Sequence, residues 1–85
     1  MEEISFIVLN HCIYSKNEYG RILCEITFPE RAPGEFCIER TFVAEEFIGT
    51  ALPERLVEAA LDKIREQGGR VTAEDPYARR YLAMK

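Results

Sequence analysis

Between residues 41 and 61 (TFVAEEFIGTALPERLVEAAL) the hydrophobic spacing changes from alternation to intervals of three and four. The change falls across a short stretch with one glycine, Gly49, and one proline, Pro53. A chain with this pattern must end a strand, turn, and start a helix within a few residues. That order sets unpaired backbone N–H groups of a helix N-terminus beside a strand end, an arrangement able to hold a phosphate or other anion.

The segments on either side fill in an α/β (α+β) fold. Residues 4–9 (ISFIVL) and 12–16 (CIYSK) read as strands, and residues 17–20 (NEYG) as a turn. In residues 21–28, Ile22, Cys24, Ile26 and Phe28 alternate with Glu25 and Thr27, which predicts a strand with one buried face. Residues 29–34 hold two prolines and read as a loop, and residues 36–43 as one further strand. Phe36, Ile38, Arg40 and Phe42 then share one face, and Cys37, Glu39, Thr41 and Val43 the other.

Pro53 suits a first helical turn, where its missing N–H costs nothing, and Glu54 complements the helix dipole. Leu56, Val57, Ala60, Leu61 and Ile64 form the apolar stripe of that helix, and Gly68 with Gly69 ends it. Residues 70–73 predict a short strand. Asp75, as N-cap, and Pro76 open a last helix, which carries Tyr77, Tyr81 and Leu82. The early strands, joined by short turns, should pair antiparallel. The strands flanking the long helix can pair parallel. The expectation is a single domain over residues 1–85: a mixed, mostly antiparallel sheet with two helices packed on it.

Eighty-five residues lie near the lower end of what folds alone, so self-association into a homo-oligomer would help this chain. Its net charge of −4 and scattered Lys and Arg offer no basic stripe for nucleic acid. The pair Arg79 and Arg80 reads as a solvated helix face. No apolar run approaches the roughly 20 residues that span a bilayer. The acidic start Met1, Glu2, Glu3 lacks the basic segment of a signal peptide, which makes the cytoplasm the expected compartment. Cys12, Cys24 and Cys37 suit buried thiols in a reducing compartment and lack metal-ligand spacing. His11, the only histidine, reads as exposed or hydrogen-bonded.

Several segments in order carry a resemblance: Glu25 to Phe28, Ile38 to Val43, the loop and helix through Leu56, Val57, Glu58, Ala59 and Ala60, then Tyr77 and Ala78. Together they resemble the small, single-domain GNAT-like proteins, short relatives of the GCN5-related N-acetyltransferases. The similarity covers nearly the whole chain after residue 12. It implies a minimal GNAT-like fold and acetyl-CoA-dependent transfer of an acetyl group to an amine-bearing small molecule or protein. In that family a loop resembling R-G-Q-G-I-A holds the cofactor pyrophosphate on backbone amides.

Here the loop reads Ile48, Gly49, Thr50, Ala51, Leu52, Pro53, with Ile48, Ala51 and Pro53 departing from the family pattern. By resemblance the cofactor-binding set is Val43, Gly49, Thr50, Ala51 and Leu52. A second reading gives Gly49 and Thr50 a purely structural turn. Arg40 stands where the family often has a histidine. It is either an anion anchor for substrate or the partner of a strand carboxylate such as Glu25. Asp75 stands where the family often has a cysteine. As a base it would need a raised pKa, and its plainer role is the helix cap. Tyr77 is the candidate proton donor to a leaving thiolate, or else a packed aromatic. The departures leave a second function open beside the acetyltransferase: a GNAT-like binding or protein-interaction module that no longer takes CoA.

Overall fold

The computed structural model describes residues 4–84. Seven strands and two helices follow in the order β1 (Ile7–Val8), β2 (Cys12–Lys16), β3 (Ile22–Thr27), β4 (Glu30–Ala32), β5 (Glu35–Ile38), β6 (Arg40–Val43), α1 (Leu52–Glu66), β7 (Arg70–Ala73) and α2 (Pro76–Ala83). A 3-10 turn, Glu45–Phe47, lies between β6 and α1.

The strands form two sheets, ordered β1-β2-β3-β6 and β4-β5-β7. All pairings are antiparallel except β5 with β7, which run parallel from Glu35↔Arg70 to Ile38↔Ala73; β6, the strand directly before α1, pairs with β3 and not with β7. Residues 36–43, expected as one strand, are two. At the exposed Glu39 the chain leaves β5, the neighbour of β7, and enters β6, the neighbour of β3. The loop expected at residues 29–34 contains β4, which folds back on β5 through a turn at Pro33 and Gly34. One bent hairpin over residues 22–43 thus runs through both sheets, β3 and β6 in one and β4 and β5 in the other. The Glu39 amide bonds to the Thr27 carbonyl (3.0 Å) and the Cys37 amide to the Pro29 carbonyl (3.0 Å) across the bend.

Two other expectations shift. Of residues 4–9 only Ile7 and Val8 pair as a strand, while Ile4 and Phe6 pack on the core from the segment before it. Phe6 also lies under the Arg55 guanidinium, 5.5 Å from its ring centre. In β3, Leu23 is buried and Ile22 is exposed, the reverse of simple alternation. The register slips between Ser15 and Lys16, so that Lys16 faces Ile22 and Leu23 is the extra residue of a bulge.

The core lies between the sheets and α1. Ile13, Cys24, Ile26, Phe28, Phe36 and Ile38 meet Leu52, Leu56, Val57, Ala60, Leu61 and Ile64. Every residue of the expected helical stripe is buried. Burying one such Leu or Ile side chain contributes roughly 1.5–3 kcal/mol. The end of α1 closes through the amides of Gly68 and Gly69, which return to the carbonyls of Arg65 (3.0 Å) and Ile64 (3.0 Å). Cys12, Cys24 and Cys37 are free thiols. Burial, and then the charge and hydrogen bond of Glu25, push the Cys12 thiol up, away from thiolate. His11 is exposed, its ring 5.8 Å from that of Phe36. Among the described residues no helix is long and apolar enough to cross a membrane.

Candidate active site

The free edge of β6, beside the end of the β5–β7 ladder, is the centre of the site. The antiparallel ladder between β3 and β6 pairs Thr27 with Arg40, Ile26 with Thr41, Glu25 with Phe42 and Cys24 with Val43. Just beyond it the Ala44 amide bonds to the Leu23 carbonyl at 2.8 Å. Hydrogen-bonded pairs alternate along such a ladder, so Phe42 and Arg40 point their main-chain groups at β3, while Thr41 and Val43 point theirs the other way. On that other side β7 stops at Ala73, opposite Ile38. On its side away from β3, β6 has no strand neighbour.

Asp75 spans the first part of the gap. Its Oδ1 accepts the Thr41 amide at 3.0 Å and its Oδ2 accepts the Ala78 amide at 2.9 Å. One carboxylate therefore caps α2 and holds the start of α2 to β6. The next groups along the edge, the Thr41 carbonyl and the Val43 amide, have no hydrogen bond within the chain among the described residues.

A cavity of about 570 Å³ opens there, a volume typical of small-molecule sites. Residues 41–43 form its floor, Ile48, Gly49, Thr50 and Pro53 one wall, and Tyr77 and Arg80 the other. A second cavity of about 540 Å³ shares Tyr77 and Arg80 and runs on past Glu54, Tyr81 and Met84. Thr41 contributes a buried hydroxyl that has no hydrogen-bond partner, the one such side-chain oxygen or nitrogen among the described residues.

The loop before α1 is built by its own side chains. Thr50 Oγ1 donates to the Phe47 carbonyl (2.6 Å) and accepts the Leu52 amide (3.2 Å), and the Thr50 amide also reaches Phe47 (3.2 Å). Gly49 has φ +90°, a conformation that L side chains rarely adopt. Of the four amides expected to face an anion, those of Thr50 and Leu52 are thus spent within the loop. The Gly49 and Ala51 amides make no hydrogen bond within the chain among the described residues.

The site brings together Val43, Gly49, Thr50 and Tyr77. Ala51 and Leu52 stand behind the wall, with Leu52 in the core. Asp75 sits behind the gap with both oxygens committed. Arg40 is exposed and outside the cavity lining, its guanidinium 5.8 Å from the centre of the Phe42 ring. Among the described residues it makes no ion pair, with Glu25 or any other carboxylate.

Arg80 is the residue that sequence reasoning missed. Read as a solvated face, it is exposed as expected, and it also lines both cavities. The available signal was its spacing of three from Tyr77, which sets the two side chains on one face of α2. Burial and the nearby Glu54 raise the Tyr77 pKa, with Arg80 opposing, so the phenol keeps its proton.

The family model for GCN5-related N-acetyl-transferases matches residues 11–85. The chain belongs to the GCN5-related N-acetyltransferase family. Among solved structures, this GCN5-related chain is similar to a GCN5-like candidate N-acetyltransferase from Staphylococcus aureus. The TM-score is 0.79 at 23% identity, over 99% of this chain and 82% of that one. It is also similar to a candidate acetyltransferase of the GNAT family from Desulfovibrio desulfuricans, with TM-score 0.69 at 17% identity over 87% of this chain and 52% of that one. A nourseothricin acetyltransferase matches with TM-score 0.64 at 18% identity, over 86% of this chain and 47% of that one. These likenesses are of fold, and the chain spans about half the length of the two larger proteins. No curated protein sequence matches it.

Proposed function

We propose that this domain is an acetyl-CoA-dependent N-acetyltransferase, working in the cytoplasm, with its cofactor in the cleft between β6 and α2. The observation that carries this reading is the open edge of β6 on the floor of the larger cavity. The pantetheine arm of CoA is a chain of amides, and an extended amide chain can add to an open edge as a further strand does. The Val43 amide and the Thr41 carbonyl are the groups left to receive it.

The remaining residues fit the same ligand. The Gly49 and Ala51 amides, at the start of α1, and the Arg80 side chain supply donors and positive charge for the pyrophosphate. Ile48 is 68% exposed on the cavity wall, an apolar surface that a bound arm would cover. Bound acetyl-CoA supplies an acyl thioester to an amine that attacks directly, so no covalent nucleophile is needed from the protein. Tyr77, held protonated, is placed to deliver a proton to the departing sulfur. Asp75 acts as a positioning residue that sets the width of the gap. The acceptor is an amine on a small molecule or a protein. Arg40, beside Phe42 and outside the cleft, is placed to meet an acceptor that carries an anionic group.

Titration of acetyl-CoA, and separately of CoA, into the isotopically labelled protein tests the proposal. Amide shifts at Val43, Gly49 and Ala51 with micromolar affinity are expected. Absence of binding at millimolar ligand overturns it.

A further inference from the structure

We infer, resting on the acetyl-CoA reading above, that the acceptor is an amino acid with an apolar side chain, held on the outer face of the β1-β2-β3-β6 sheet by Glu25 and Arg40. The register draws one row across that sheet: Ile7 opposite Tyr14, Tyr14 opposite Glu25, and Glu25 opposite Phe42. Ile13, Cys24 and Ile26, which adjoin Tyr14 and Glu25 along their strands, meet α1 in the core. The row therefore lies on the face turned away from that helix. Arg40, two residues before Phe42 on β6, shares the same face.

Two opposite charges on this face lack counterions. Glu25 is half-buried and makes no ion pair among the described residues. Its one hydrogen bond comes from the Cys12 thiol, a weak donor, 3.8 Å from Oε2. Arg40 is exposed and stands diagonally across β3 and β6 from Glu25, a separation that long side chains can span. Its guanidinium lies by the Phe42 ring instead, 5.8 Å from the ring centre.

The pair selects by charge. A simple amine answers Glu25 but sets a second positive charge beside Arg40. A simple carboxylate answers Arg40 but repels Glu25. A zwitterion of amino-acid type answers both at once, with its ammonium at Glu25 and its carboxylate at Arg40. Tyr14 and Ile7 continue the row on the far side of Glu25, and Ile7 is 40% exposed. They offer an apolar strip to the side chain of the ligand.

Phe42 joins this face to the cofactor cleft, because it belongs to the row and also lines the larger cavity. Neighbouring strands lie about 4.8 Å apart. An amine seated between Glu25 and Phe42 is thus about one strand's width from the open edge of β6. The transfer balances without a further reagent. The ammonium gives one proton to water at this accessible face. The neutral nitrogen donates its electron pair to the thioester carbonyl carbon, the C–N bond forms and the C–S bond breaks. The thiolate takes the Tyr77 proton, and the proton shed by nitrogen restores the phenol.

Three probes of one shape test the inference: L-phenylalanine, phenethylamine, which lacks the carboxylate, and 3-phenylpropanoate, which lacks the amine. Each is titrated into nitrogen-15-labelled protein with CoA present, after CoA binding has been read at Val43 and Gly49. L-Phenylalanine is expected to shift the amides of Tyr14, Glu25 and Phe42 and to bind about tenfold tighter than either analogue. Glu25→Gln should erase its lead over 3-phenylpropanoate alone, and Arg40→Ala its lead over phenethylamine alone. With acetyl-CoA the wild type should form N-acetylphenylalanine. Equal wild-type affinity for the three probes overturns the inference and leaves the cofactor site standing. So do variants that weaken all three alike, or bound L-phenylalanine that is never acetylated. Absence of CoA binding overturns the inference and the cofactor site together.

Discussion

The Asp75 carboxylate accepts the Thr41 amide at 3.0 Å, joining β6 to the start of α2 at the point where the β5–β7 ladder has ended. Its second oxygen holds the Ala78 amide at 2.9 Å. Replacing Asp75 with alanine removes a helix cap and strands a partly buried N–H in one change. The expected loss is about 1–3 kcal/mol of stability, read from urea denaturation. Amide exchange at Thr41 and Ala78 should rise together, because one side chain protects both. Asp75→Asn keeps one acceptor oxygen and should fall between alanine and wild type.

Gly69 follows the end of α1 and lies against the core. A Cβ there would stand 2.4 Å from two ring carbons of Phe36 and 3.2 Å from Ile64. Phe36 is only 2% exposed, so its ring has no free space to move into. Gly69→Ala should destabilise the fold by roughly 1–3 kcal/mol, the usual range for overpacking, as measured by thermal unfolding.

The Tyr77 phenol titrates above the ordinary tyrosine value of 10.0, chiefly through burial and then through Glu54. The folded chain therefore holds this proton more tightly than the unfolded chain does. The resulting stabilisation is complete below the unfolded value and is lost as pH rises through the folded one. In an ultraviolet titration the late-ionising component assigned to Tyr77 should disappear in Tyr77→Phe.

Arg80 lines both cavities and makes no ion pair among the described residues. Arg80→Ala should weaken CoA binding about tenfold, near 1.4 kcal/mol, and flatten its dependence on salt. Thermal stability should stay within about 0.5 kcal/mol of wild type, as for most surface changes. Calorimetry at two salt concentrations checks both parts.

A glutamate next to Asp75 offers an acid-side counterpart. Glu74 receives both guanidinium nitrogens of Arg31, at 2.9 Å each, and Arg31 also bonds Glu39. The Glu74 pKa is lowered by this hydrogen bonding and charge from its ordinary 4.5. Its contribution to folding is therefore present above that value and lost as pH falls through the lowered one. NMR titration of the Glu74 carboxyl should find it below the usual range in wild type and back within it in Arg31→Ala.

Much of this architecture was legible in the residues, for reasons that can be named. The stripe Leu56, Val57, Ala60, Leu61 and Ile64 is unambiguous, because each member must face the core of so small a domain. Asp75 and Pro76 mark a helix start by local chemistry alone, and the side chain does cap the helix. The break at Glu39 left no mark, since β5 and β6 each keep an extended backbone and only their neighbours change. The bulge that buries Leu23 and exposes Ile22 is a property of the pairing with β2, not of β3. Arg80 is exposed, as its solvated reading has it; that it also borders two cavities was not legible, because helix periodicity gives a face but not what lies opposite it. The unpartnered Thr41 hydroxyl had no signal at all, as only packing decides which hydroxyls find partners.

The bent hairpin and the parallel β5–β7 pair have a further consequence for how this domain comes together. Strands β1 to β6 meet through short turns, so their contacts are local and form early. The far wall of the cleft, by contrast, is contributed by α2, whose place depends on β7 reaching β5 some 35 positions back, from Arg70 to Glu35. Docking of the last fifteen or so residues is thus the slow, long-range event, with its closure cost met only once the parallel ladder forms. Until then the meander can be largely native while the cleft still lacks its far wall. A ligand that bridges β6 and α2 would act as a clasp on that final docking, and hydrogen exchange in β7 should slow on binding more than exchange in β2.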